Sequence, residues 1–154
     1  MMQNDYIQNL FKTLQYLDEA GSWLKRSYDI CREIGLKDDY SPDEFDKFET
    51  LTSRFARVSD IIIQKVFRSI DAVEFEEKGT LIDVVNRAHK RNLINSVDEI
   101  REIKDLRNEI AHEYIKELLI NIFQDSLRFT PKLFEIITKV KKYCERYDDF
   151  SGNL

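Results

Sequence analysis

DYIQNLFKTLQYLDEAGSWLKRSYDICR, residues 5–32, decides the fold class. Within it Ile7, Leu10, Leu14, Leu17, Gly21, Leu24, Tyr28 and Cys31 recur in alternating steps of three and four, which describes one long amphipathic helix with a narrow packing seam. Such a seam needs partner helices to cover it. Trp23 sits beside the seam, and Gly35 is placed to end the helix, leaving 36–40 as a polar loop.

The chain around this stretch agrees with it. Apolar residues make up 42 % and charged residues 34 % of 154 positions, with four Gly and two Pro, which favours long helices over a turn-rich sheet. That length suits a single domain spanning 1–154 with a core of its own. Cys31 and Cys144 have no CxxC and no histidine nearby, so they read as buried thiols of a reducing cytoplasm rather than as a zinc site or a disulfide. The N-terminus has neither a basic n-region nor an apolar h-region, and no stretch approaches the ~20 apolar residues needed to span a bilayer. The expectation is a soluble cytoplasmic protein with no membrane contact and, lacking a carboxylate cluster, no metal and no cofactor. A net charge of -5 argues against a general nucleic-acid coat protein and leaves room for a local basic cleft.

Ser41-Pro42-Asp43-Glu44 combines an N-cap serine, proline at the first helical position and a glutamate that completes a capping box. The spacing predicts a helix over 42–72 with Phe45, Phe48, Leu51, Phe55, Val58, Ile62, Val66 and Ile70 on its apolar arc. Arg54, Arg57, Lys65 and Arg68 form a second stripe, either a solvated face or an electrostatic track for a polyanion. Residues 74–79 read as a loop. Thr80 is placed to cap a short helix over 81–92, which carries a basic cluster of Arg87, His89, Lys90 and Arg91. Ser96 and Glu99 read as a second capping box. Thr130-Pro131 is expected to break the C-terminal apolar pattern and start a separate final helix, and 148–154 should fray. The sum is an all-α antiparallel helical bundle of two long helices and several shorter ones.

Arg107-Asn108-Glu109-Ile110-Ala111-His112-Glu113-Tyr114 carries the chemistry. Ile100, Ile103, Ile110 and Tyr114 keep a three-four spacing, and Arg107 stands in the slot between Ile103 and Ile110. A charge there needs a partner or a wet interface. Asn108 and His112 are one helical turn apart and share a rung. Guanidinium matches phosphate oxygens, and imidazole exchanges protons near neutral pH, so the three groups together suit work on a phosphate. Two readings stay open: an arginine paired with a distant acid that holds the bundle in register, or a site.

Arg-Asn-x-x-x-His-x-Tyr near a helix end in a small helical chain resembles the signature of the HEPN superfamily, and is most similar to the HepT-like toxins of HEPN/MNT toxin–antitoxin pairs. The resemblance covers nearly the whole chain and departs in having Glu113 where many relatives carry glycine. It implies a homodimeric, metal-independent endoribonuclease of a type VII-like toxin–antitoxin pair. Arg107 and His112 of both copies would line one cleft, with Asn108 orienting the histidine or the phosphate. Transfer RNA or messenger RNA would be cut by attack of the 2′-hydroxyl on the adjacent phosphorus, leaving a 2′,3′-cyclic phosphate. Arg54, Arg57, Lys65, Arg68, Arg87, Lys90 and Arg91 would help to bind the RNA. Tyr114 would be the acceptor of AMP from a partner nucleotidyltransferase, an addition that blocks RNA by volume and like charge; its plainer reading is a core aromatic. The alternatives are a non-catalytic HEPN adaptor for a nucleotidyltransferase and a purely structural helical interaction module.

Overall fold

The computed structural model describes residues 3–76 and 78–148, and these are organised by helices alone. The frayed tail expected from Asp148 onward lies, apart from Asp148 itself, outside the described residues. Helix α1 spans Gln3–Ile34 and α2 spans Pro42–Asp60. A π-helical segment, Ile61–Val66, carries α2 without a break into α3, Phe67–Val73. Then follow α4, Leu81–Lys90, α5, Val97–His112, and α6, Lys116–Cys144, with a 3-10 turn at Glu145–Tyr147. No described helix is long and apolar enough to cross a membrane.

The seam of α1 is buried as its spacing demands, with Ile7, Leu10, Leu17, Leu24 and Cys31 fully covered. Gly35 ends the helix at φ 81 and donates its N–H to Cys31 O at 2.9 Å, a left-handed cap that glycine adopts without a Cβ clash. Gln3 Nε2 donates to Val73 O at one end, and Cys31 Sγ reaches Lys47 O at the other, so α1 runs antiparallel to the rod 42–73. Helix α6 also opposes α1: Tyr28 meets Phe134 edge-on, Gly21 faces Ile137, and Lys141 pairs with Asp18. Phe123 stacks on Phe48 with Phe45 and Tyr40 around it. Both thiols lie in this core. Burial pushes each up to about 12, so neither is an activated nucleophile.

Three expectations change. The wide turn at Ile61–Val66, where the Phe67 N–H reaches back to Ile62 O, was not legible as a departure from α-helix. Thr130 and Pro131 lie inside α6 rather than at the start of a new helix. The Thr130 hydroxyl donates to Ser126 O, and Phe123, Ser126, Thr130, Leu133, Ile136 and Val140 stay buried in phase across the proline. Packing of that stripe outweighs the cost of about 3 kcal/mol that an interior proline imposes. Finally, Ser96 accepts the Glu99 N–H, but the Glu99 carboxylate is buried with one oxygen unpartnered, so the second capping box is only half formed.

The segment expected as a loop at 74–79 is fastened at its first residue. Asp71, almost wholly buried, accepts from Arg87 at 2.9 Å and Arg91 at 2.5 Å, and Glu74 accepts from Arg91 at 3.0 Å. The other Glu74 oxygen accepts from the Tyr143 and Tyr147 hydroxyls. The network therefore ties α3, α4 and the end of α6 together. Burial pushes the Glu74 carboxyl up, but the two phenols and Arg91 outweigh it and hold it below the usual carboxylate range. A carboxyl depressed in the fold adds stability above its unfolded pKa of about 4.3 and loses it as pH falls through the folded value. Glu74→Gln should lower the unfolding free energy by about 2 kcal/mol at neutral pH. In urea titrations that gap should narrow below about pH 4; a gap independent of pH would contradict the assignment.

Candidate functional site

The buried face of α5 is Ile100, Ile103 and Leu106, with Ile110 half-buried beyond them. Leu106, not Arg107, fills the core slot. The apolar stripe is thus unbroken, and Arg107 lies at its edge rather than within it. From there its guanidinium reaches the last residue of α2. Nε donates to Asp60 Oδ1 and Nη2 to Asp60 Oδ2, both at 2.9 Å, a two-point grip on one edge of the guanidinium. No described residue takes a hydrogen bond from Nη1. The pair is partly open to solvent, with side-chain exposures of 34 % for Arg107 and 45 % for Asp60, and the carboxylate holds the guanidinium pKa above its ordinary value.

Arg107 and Asp60 line an open groove of about 320 Å³ together with Ile63, Gln64, Lys104 and Asn108. Asn108 is exposed, and His112, the last residue of α5, is exposed one turn beyond it. Glu113 then takes an extended conformation, φ -81 and ψ 139, so glycine's freedom is not required at this position. Its carboxylate accepts the N–H groups of Tyr114 and Ile115 at 3.2 and 3.3 Å, which fixes the connection into α6. Tyr114 is 86 % exposed, which rules out the core-aromatic reading of this residue. Ile115 and Leu118, which follow it in the chain, are exposed as well.

No protein-family model, curated protein or solved structure matches this chain.

The basic residues singled out from sequence divide into two groups. Arg87 and Arg91 turn inward to Asp71 and Glu74, a correction to the expectation that they face RNA; His89 and Lys90 of that cluster are exposed. Arg54 lies over the Trp23 ring and donates to Ser27 Oγ at 2.8 Å, binding α2 to α1. Arg57, Lys65 and Arg68 are exposed. Asp60, the partner of Arg107, could not be found from spacing, because the two are 47 residues apart. Among the described residues no group of three or more His, Cys, Asp or Glu side chains is placed to hold a metal ion.

A half-exposed pair should couple weakly. In a double-mutant cycle with Asp60→Asn and Arg107→Ala, the interaction energy should be at most about 1 kcal/mol. A coupling several times larger would mark the pair as a structural clasp rather than a device that aims the arginine.

Proposed function

We propose that the chain is an endoribonuclease of the HEPN, HepT-like kind, acting as a homodimer and needing no metal. The observation that carries the reading is the Arg107–Asp60 grip: the carboxylate holds Nε and Nη2 of the guanidinium, Nη1 has no hydrogen bond to a described residue, and Arg107 lines a groove with Asn108. An arginine fixed in this way is pre-organised to take a phosphate oxygen, and Lys104 on the same groove adds charge that Asp60 does not cancel. His112 takes the proton of the 2′-hydroxyl as its oxygen attacks phosphorus. The P–O5′ bond breaks, a proton is supplied to the departing oxygen, and a 2′,3′-cyclic phosphate remains. A second copy brings a second histidine suited to that last transfer, and the exposed Ile115 and Leu118 offer it apolar surface to cover.

Two features support control through Tyr114. Its exposed phenol is accessible to a nucleotidyltransferase, and AMP placed two residues from His112 would bring bulk and negative charge to the site. The same ion pair favours a second reading, a non-catalytic adaptor of a nucleotidyltransferase in which Arg107 only fastens α5 to α2.

The two readings separate in one assay. Purified protein should cleave transfer RNA or messenger RNA in EDTA, and His112→Ala should slow it by a factor on the order of 10² to 10⁴ with the fold intact. Equal rates in the two proteins would remove His112 from the chemistry, and no cleavage by the wild type would favour the adaptor. Incubation with the cognate nucleotidyltransferase and ATP should add the mass of AMP to the wild type and not to Tyr114→Phe. An unchanged intact mass with a demonstrably active partner would dismiss the switch.

A further inference from the structure

Three grooves join across the π-helical segment. The groove beside α5 shares Asp60 and Gln64 with a second on the outer face of α2, which adds Arg57, Ile61 and Lys65. That second groove shares Ile61 and Lys65 with a third of about 440 Å³, where α1 contributes Lys12 and Tyr16. The result is one trough that leads from Arg107 and Asn108, over the wide turn, to α1.

Its charge is one-sided. Lys12, Arg57, Lys65, Lys104 and Arg107 line these three grooves against one carboxylate, Asp60, which Arg107 already neutralises; Glu49 and Asp105 line the grooves that adjoin them through Arg57 and Lys104. Elsewhere many basic side chains are paired with acids, as Lys25 with Asp29, Lys47 with Asp43 and Lys141 with Asp18, while others such as Arg68 and Lys90 stand exposed and singly rather than around a groove. Among the described residues Lys12, Arg57, Lys65 and Lys104 enter no ion pair. In a chain of net charge -5, four unpaired cations gathered on one concave surface concentrate a positive field that composition alone would not supply. At the far end Tyr16, which lines the third groove, is 53 % exposed, an aromatic side chain available to a planar ring. Cations spaced along a trough that contains an open aromatic ring are what a flexible polyanion with unstacked bases requires; a duplex hides its base faces in its own stack.

We propose that this trough is a track for single-stranded RNA, with phosphates over Arg57, Lys65 and Lys12 and one base stacked on Tyr16. It rests on the nuclease reading, because it takes the track to deliver RNA to Arg107 and His112. The track departs from the straight stripe expected from sequence: Arg54 is withdrawn on to Trp23, Arg68 does not line the joined grooves, and α1 supplies the far end.

The test is fluorescence anisotropy on the full chain carrying His112→Ala, so that bound RNA survives, with a labelled oligouridine of about a dozen nucleotides and a duplex of equal length. Adding Tyr16→Ala should weaken single-strand binding by about ten-fold, while Tyr16→Phe retains it. Adding Lys12→Ala with Lys65→Ala should reduce the slope of log affinity against log salt by about 1.4, the loss of two phosphate contacts. Unaltered thermal midpoints would show that these variants fold. Affinity and salt slope unchanged in the folded variants would overturn the track, as would duplex binding as tight as single-strand binding. Cleavage that depends on His112 but not on these residues sinks the track alone; track-dependent binding without any cleavage by the His112 protein sinks the nuclease reading alone.

Discussion

Burial of the α1 seam against the continuous rod 42–73 is the contact on which the other helices depend. Neither element can keep its apolar face in water, and each fully buried Leu, Ile or Phe along the contact contributes roughly 1.5–3 kcal/mol of transfer free energy. Once the two are antiparallel, they present a shallow surface that α6 fills through Phe123, Leu133, Ile136 and Val140. Helix α5 is held by Ile100, Ile103 and Leu106 and by the edge contact of Arg107 with Asp60. The candidate site thus stands where α5 meets the wide turn of the rod 42–73.

Basic residues in this protein do two different jobs, and burial separates them. Arg87 and Arg91 lie against carboxylates in a partly dehydrated network, in which the phenols of Tyr143 and Tyr147 complete the shell of Glu74 and Arg87 Nε is left without a partner. Arg57, Lys65, Lys12 and Lys104 stay in water around the joined grooves, so their charge is available to a partner. Arg107 stands between the two groups. It is paired as a structural arginine is, yet open on one edge as a binding arginine has to be. The position of Asp60 at the junction of α2 with the π-helical segment connects that dual state to a local irregularity of the rod.

Much of the fold was legible in the chain. The three-four spacing of 7–31 and the Ser41-Pro42 start required long packed helices, and Gly35 ended α1 where its lack of a Cβ permits. The seam residue Gly21 also had a discoverable purpose, since Ile137 Cδ1 lies 3.3 Å from where a Cβ would stand. Proline at 131 misled, although the apolar period ran through it in phase; local propensity lost to packing on both sides.

The sequence by itself determined the helical class, the Ser41 start, the Gly35 stop and the grouping of Arg107, Asn108, His112 and Tyr114 around one helix end, because these follow from spacing within a turn or two. Tertiary structure decided what each of those residues faces. It moved the core slot from Arg107 to Leu106, gave Arg107 its partner across 47 residues, and left Tyr114 in solvent. It also drew Arg87 and Arg91 inward and brought Lys12 and Tyr16 of α1 to the grooves beside the π-helical segment. The physical reason is range: backbone hydrogen bonds and periodicity act within one element, whereas burial and ion pairing depend on which surfaces the packed helices bring together.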